Sequence, residues 1–326
     1  MKTSYIYSSS RVKALEKELL NESDVERLLE ASRGVELIKF LKETYINQYL
    51  ESDDIDGVLK ATEKSLVEAK ELITKITPEP KLLDFLWVYY DLQNLRVQLK
   101  SKQANLESEQ MMAYLSRLGK YSPETLLEHI AAGTLNRLEP EFKTIYDNAS
   151  KALEEKGVAA ADLVIEAGYF DLAKRMVGDA RDLSIGTILR LQIDLYNLKT
   201  RLRTLLVPRQ GDDSWFVTGG NLRYEDIELK EQALAVLVNY GGESKWREAI
   251  ELYSSEGHST LIDARSDDYL LETVRTMSYD VFSPASLIAY FLQVQNTAKI
   301  IKTVVVGKES GQTRDFIRKQ LRTIYV

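Results

Sequence analysis

One helical pattern occurs three times at even spacing, and it limits what this chain can fold into more than any other feature. Its first copy is the stretch Pro78 to Lys102, where Leu82, Phe85, Leu86, Leu92, Leu95 and Leu99 recur at helical intervals. The polar run Asp91-Leu92-Gln93-Asn94-Leu95-Arg96 sits on that helix. Thr77 is placed to cap it, and Pro78 and Pro80 fit a first turn, where a missing N–H costs nothing. The pattern returns 103 residues later as Ile185, Ile188, Leu189, Asp194, Asn197, Leu198, Lys199 and Leu202, with Asp182 or Ser184 as its cap. A further step of 103 reaches Ile288, Phe291, Leu292, Thr297, Ile300, Lys302 and Val305. Ser283-Pro284 lies 206 residues beyond Thr77-Pro78, so cap and proline keep step with the apolar stripe. A second register is open for the third copy. It sets Asn296 against Asn94 and Ala298 against Arg96. The equally spaced register is preferred.

Three helices of one design predict three copies of one helical unit, with boundaries at 1–107, 108–210 and 211–326. The predicted class is all-α. Six prolines in 326 residues leave room for long helices, and that length suits two or three domains. A net charge of −7 argues against a nucleic-acid binder, which usually carries a basic patch. Absence of cysteine excludes disulfides and fits a cytosolic protein. The nearest approach, Leu287 to Leu292, falls far short of the roughly 18 residues of a membrane span. Met1 to Tyr5 lacks the apolar core of a signal peptide. No direct membrane insertion is expected.

Punctuation along the chain is clear. Ser23-Asp24-Val25-Glu26 reads as a capping box, and Ser122-Pro123 as an N-cap with a proline in the first turn. Pro208 to Ser214 reads as a linker. Gly219-Gly220 lies in the apolar turn Trp215 to Leu222, and at least one of the pair is expected at positive φ. The third repeated helix is expected from Pro284 to Val306, ended by Gly307. A last helix over 312–324 carries Arg314, Arg318, Lys319 and Arg322 on a solvated face.

Chemistry-bearing motifs are scarce. His129 and His258 stand far apart without cysteine partners, and no phosphate-binding loop or dinucleotide fingerprint occurs. Asp91 with Asn94, and Asp194 with Asn197, share a helix face at i,i+3. Repetition favours a packing role for these pairs, since packing must be rebuilt in each unit and a catalytic site need not be. The residues singled out are therefore structural: Asp91, Asn94, Arg96, Asp194, Asn197, Lys199, Lys302, Gly219 and Gly220. No catalytic, cofactor-binding or metal-ligating residue is assigned.

At these helices the chain resembles the C subunit of archaeal and bacterial V/A-type rotary ATPases, a relative of the d subunit of the eukaryotic vacuolar ATPase. The resemblance rests on Tyr5-x-Tyr7-x-x-x-Arg11-Val12, Tyr90 to Arg96, Asp194 to Lys199, Phe216-x-x-Gly219-Gly220 and the run from Ala289-Tyr290 to Gly307-Lys308. Ser9 stands where the family usually has Asn, and Ile300-Ile301-Lys302 where it has Asn-Leu-Arg. The resemblance implies a non-catalytic rotor subunit, one copy per complex, cytoplasmic and peripheral to the membrane. It implies three similar domains around a pseudo-threefold axis, forming a funnel. That funnel would connect the central-stalk subunits to the proteolipid ring and pass torque between them, in ATP synthesis or in hydrogen-ion or other ion transport. An unrelated all-helical scaffold or adaptor is the alternative; the 34- to 47-residue period of common helical repeats is absent.

Overall fold

The computed structural model describes residues 5–178, 182–206 and 215–324. The expected linker Pro208 to Ser214 lies outside them. Among the described residues the fold is all-α, with helices, short 3-10 turns and no strand. In chain order the helices are α1 (Ile6–Glu16), α2 (Glu22–Glu30), α3 (Val35–Leu41), α4 (Ile55–Ile76), α5 (Asp84–Gln103), α6 (Ser108–Met112), α7 (Pro123–Ala131) and α8 (Phe142–Lys156). They continue with α9 (Val158–Gly178), α10 (Leu183–Leu206), α11 (Lys230–Asn239), α12 (Glu243–Glu256), α13 (Thr260–Met277), α14 (Ala285–Glu309) and α15 (Arg314–Gln320). The three repeated stretches are α5, α10 and α14.

Local chemistry moved several expected boundaries. The first repeated helix starts at Asp84, after a 3-10 turn over Pro80–Leu83. Pro80 disfavours a helical Glu79, which takes φ −130° and ψ 72°. Thr77 closes α4, its N–H donating to the Ile73 carbonyl at 2.9 Å, and does not cap the next helix; its hydroxyl is buried without a hydrogen-bond partner. The capping box at α2 uses Asn21 and Asp24, each side chain accepting the other's backbone N–H at 3.0 and 3.1 Å, in place of one built on Ser23. Ser122 caps α7 as expected, accepting from the Thr125 N–H at 3.1 Å. Gly307 does not end α14. The helix runs on to Glu309, and the missing side chain leaves room for Ile317, whose Cγ1 would lie 2.8 Å from a Cβ there. The last helix is short, Arg314–Gln320.

Packing divides the chain into two compact units that do not follow the boundaries at 107/108 and 210/211. One comprises 1–78, 201–207 and 225–326; the other comprises 79–200 and 208–224. The reason is that each repeated helix takes partners from another stretch of sequence. In the second unit α5 packs on α7, α8 and α9, all from beyond residue 107. In the first unit α14 packs on α1, α2 and α4, from the first 76 residues, as well as on α13 and α15. The Tyr253 hydroxyl donates to the Leu202 carbonyl at 2.8 Å, and Arg203 pairs with Asp263, so the end of α10 is likewise completed by residues that follow it.

α14 is the axis of the first unit. Leu287, Ile288, Ala289 and Ile300, Ile301, Val304 are all fully enclosed, and among its polar residues so is Ser286, with Thr297 nearly so. A helix apolar on every side belongs inside a core. That explains the short apolar run at 287–292 without a bilayer. No helix among the described residues is long and apolar enough to cross a membrane.

In the second unit α8 presses against α9 at Gly168, where a Cβ would lie 2.7 Å from Ile145 Cγ1. Gly168→Val is expected to destabilise the fold by about 1–3 kcal/mol through overpacking. Gly186→Ala on α10, whose Cβ would meet only the mobile end of Arg190 at 3.5 Å, is expected to be neutral or slightly stabilising. Urea unfolding of the two variants would measure both effects.

Candidate functional site

The polar residues singled out from the repeats form clasps that hold a returning segment of chain against a long helix. On α5, Asn94 accepts the Ser116 N–H at 2.8 Å and donates to the Ser116 carbonyl at 2.8 Å. One turn earlier, the Asp91 carboxylate accepts the N–H groups of Lys120 and Tyr121 at 2.9 and 3.1 Å. The second copy repeats this arrangement residue for residue on α10. Asn197 accepts the Val217 N–H at 2.9 Å and donates to the Val217 carbonyl at 2.8 Å. Asp194 accepts the N–H groups of Asn221 and Leu222 at 2.8 and 3.0 Å, and the Asn221 amide at 2.7 Å.

Glycine makes the carboxylate half possible. A Cβ on Gly119 or on Gly220 would collide with the Oδ1 of Asp91 or Asp194 respectively, so in each copy a bare backbone lies against the acid. Gly219 meets the positive-φ expectation at +103°, while Gly220 is the point of close approach. Asp91, Asp194 and Asn197 are fully enclosed and Asn94 nearly so. Buried groups of this polarity are tolerable because each is bonded.

The third copy differs. Asn296, not Ile300, holds the returning segment, donating to the Thr323 carbonyl at 2.7 Å. The amide contact thus follows the register that was not preferred. Ile300 is a core residue beside Leu28 and Val58. The acid has moved to the neighbouring helix α13, where Asp268 accepts the Thr323 N–H at 2.8 Å and its hydroxyl at 3.0 Å. Gln293, one turn before Asn296, occupies the place of Asp91, and both its amide atoms are buried without a hydrogen-bond partner.

The basic members of the motif have separate fates. Arg96 pairs with Glu166 at 2.6 Å and Asp162 at 3.2 Å, tying α5 to α9. Lys199 and Lys302 are half-buried and form no ion pair among the described residues. One turn beyond Arg96, Lys100 pairs with Asp162 at 2.9 Å, a contact matched by Arg203 with Asp263 at 2.5 Å.

Charge gathers around the first clasp. Lys120 binds Glu139 at 2.8 Å and Asp84 at 2.9 Å, and Arg175 reaches Glu139 at 3.1 Å. Burial, helped by the Glu139 carboxylate, pushes the Tyr121 phenol up to about 12. Burial raises the Glu139 carboxyl, but bonds from Lys120, Arg175 and Tyr121 outweigh it and hold it below the usual carboxylate range. The two histidines take no part. His129 Nδ1 meets the Thr134 hydroxyl at 2.9 Å within its own turn, and His258 is exposed. The described residues contain no group of three acidic or imidazole side chains placed to hold a metal.

These contacts lock helix to segment. Residues 8–320 match the sequence profile of the ATP synthase (C/AC39) subunit family. The chain belongs to that family. Similar proteins include the C subunit of the A-type ATP synthase of Methanocaldococcus jannaschii, 24% identical over 346 residues, covering 97% of this chain and 86% of that one. Its counterpart in the A-type ATP synthase of Thermococcus kodakarensis is 25% identical over 342 residues, covering 97% and 90%. That of Methanosarcina barkeri is 24% identical over 350 residues, covering 99% and 94%. The C/AC39 family supplies a structural subunit rather than a catalytic one.

Sequence reasoning found Asp91, Asn94, Asp194 and Asn197 with Gly219-Gly220 of the second loop, and missed the first loop and the third clasp. Ser116, Gly119, Asp268 and Thr323 carry no motif of their own. A signal existed in Gly119 and Gly220, which follow their aspartates by 28 and 26 residues.

Asn94→Ala and Asn197→Ala are each expected to cost about 2–4 kcal/mol, since both leave a buried N–H and carbonyl unpaired. Lys199→Ala and Lys302→Ala should stay within about 0.5 kcal/mol. Chemical denaturation of the four variants separates clasp residues from bystanders. Glu139 adds a pH test. Its depressed carboxyl contributes stability above the usual value of about 4.3, and the contribution is lost as pH falls through the lowered value. Glu139→Gln should therefore flatten the stability-versus-pH curve in the acid range and lower stability at pH 7.

Proposed function

We propose that this protein is the rotor connector of an A-type rotary ATPase, joining the central-stalk subunits to the membrane proteolipid ring and passing torque between them. The observation that carries this reading is the match to the C/AC39 family over residues 8–320, with relatives from A-type ATP synthases aligned along nearly the whole chain. The polar clasps support it, because a part that carries load needs long helices that cannot slide against their neighbours.

In this reading three helical repeats, 1–107, 108–210 and 211–326, form a pseudo-threefold funnel present in one copy per complex. Support comes from packing within the compact units, where α5 and the end of α10 are each completed by the following repeat, and α14 by the first. The protein works in the cytoplasm and reaches the membrane only through its partner subunits. Interfaces with stalk and ring of roughly 1,200–2,000 Å² or more are expected for stable association. The acidic balance, −7 overall, disfavours anionic headgroups as a docking surface.

Deletion of the protein should leave ATP hydrolysis by the soluble catalytic head intact while abolishing ATP-driven ion transport. Acidification or ion uptake by inverted vesicles, measured beside hydrolysis, provides the check. Transport that persists without the protein would remove the connector reading.

A further inference from the structure

Residues 313–324 cross the first unit as a band made of α15 and the extended stretch Leu321 to Ile324. Ile317 and Leu321 are its buried apolar anchors. Its inner edge is held by Asn296 and Asp268 at Thr323, and by Asp267, which accepts from Arg322 at 2.9 Å. Its outer edge is held by Glu26, which accepts from Arg314 at 3.0 Å and from both Arg318 nitrogens at 2.6 and 2.5 Å, with Glu30 on Arg314 at 3.2 Å. Arg314, Phe316, Arg318, Lys319 and Gln320 are exposed.

Three observations set this band apart from the helices beneath it. A seven-residue helix has no stability of its own and forms only while docked. Its outer ion pairs are solvent-exposed, and such pairs hold weakly and are screened by salt. The third clasp is also only half built. In the first two, an aspartate takes two further N–H groups from residues four and five places beyond the residue that asparagine holds. Gln293 stands in that position with its amide unpaired, so no described residue of the band engages α14 there.

We propose that residues 313–324 are a strap that opens and closes as one unit while α2, α13 and α14 stay folded. Opening releases Asn296 and Asp268 together from Thr323. The first unit thus carries one detachable closure, whereas the segments at Ser116–Tyr121 and Val217–Leu222 are held by complete clasps.

Hydrogen exchange of the full chain under native conditions tests this. Corrected for intrinsic rates, amides from Ile317 to Ile324 should exchange about 100-fold or more faster than those of α14 between Ile288 and Val305, and faster than those at 116–121 and 217–222. Asp268→Asn at one end and Arg318→Gln at the other should each speed the whole strap about 10-fold, leaving α14 unchanged. Raising salt on the unmodified protein should act in the same direction, and needs no variant to fold. Strap amides as slow as those of α14, or substitutions that accelerate strap and α14 alike, would show that the band opens only with global unfolding and overturn the proposal.

Discussion

An asparagine side chain that pairs with both backbone groups of one residue is the contact on which this architecture depends. The amide of Asn94 or Asn197 presents one acceptor and one donor at the spacing of a peptide's own N–H and carbonyl, so it completes a piece of extended chain as a neighbouring strand would. A helix has no spare backbone groups along its length, so side chains on it must supply these bonds. The aspartate one turn away then fixes where that segment turns, and glycine lets the turn come close enough. Each residue type in the motif follows from a geometric demand.

Buried polarity also explains why these contacts fix register and not merely proximity. An apolar stripe alone lets a helix slide by a turn at small cost, because leucine packs nearly as well against the next leucine. A slide of one turn past Asn197 would strand an N–H, a carbonyl and an enclosed carboxylate, each costly away from water. The same logic holds for charge at the rim. Lys100 with Asp162 and Arg203 with Asp263 repeat one pairing in two copies, at sites wet enough to add little stability but well placed to disfavour a wrong register.

Much of this was legible in the sequence. Helical class, the long helices near their true bounds, the caps at Ser122 and Asp182, and the glycine at positive φ follow from local rules that tertiary context did not override. The segments that failed share a cause. Thr77 looked like a cap because a proline followed it, yet Pro80 delayed the helix and left the hydroxyl buried. Gly307 looked like a helix end because glycine usually is one, yet here its bareness serves Ile317 from a segment ten residues on. Ile300 looked like the third copy of Asn94 because equal spacing was assumed. The return loops differ in length, 22 residues from Asn94 to Ser116 but 20 from Asn197 to Val217, so equal spacing holds only approximately. A sequence displays what a residue is, and these three depended on what came to meet it.

The mismatch between repeat and packing unit carries the last step. If each repeat folded on itself, the compact units would coincide with the repeats, and a force on one would reach the next only through linkers. Instead α5 is completed by α7, α8 and α9, the end of α10 by Tyr253 and Asp263, and α14 by α1, α2 and α4. Each long helix is therefore core to a stretch of sequence other than its own. Within a compact unit, pulling such a stretch away must draw a helix out of a hydrophobic core, not bend a loop. At about 25 cal/mol per Å² of apolar surface, exposing one such helix face costs far more than straining a surface linker. Within each compact unit a distant stretch of sequence is thereby tied to a long helix, and the polar clasps keep that tie from being lost by sliding.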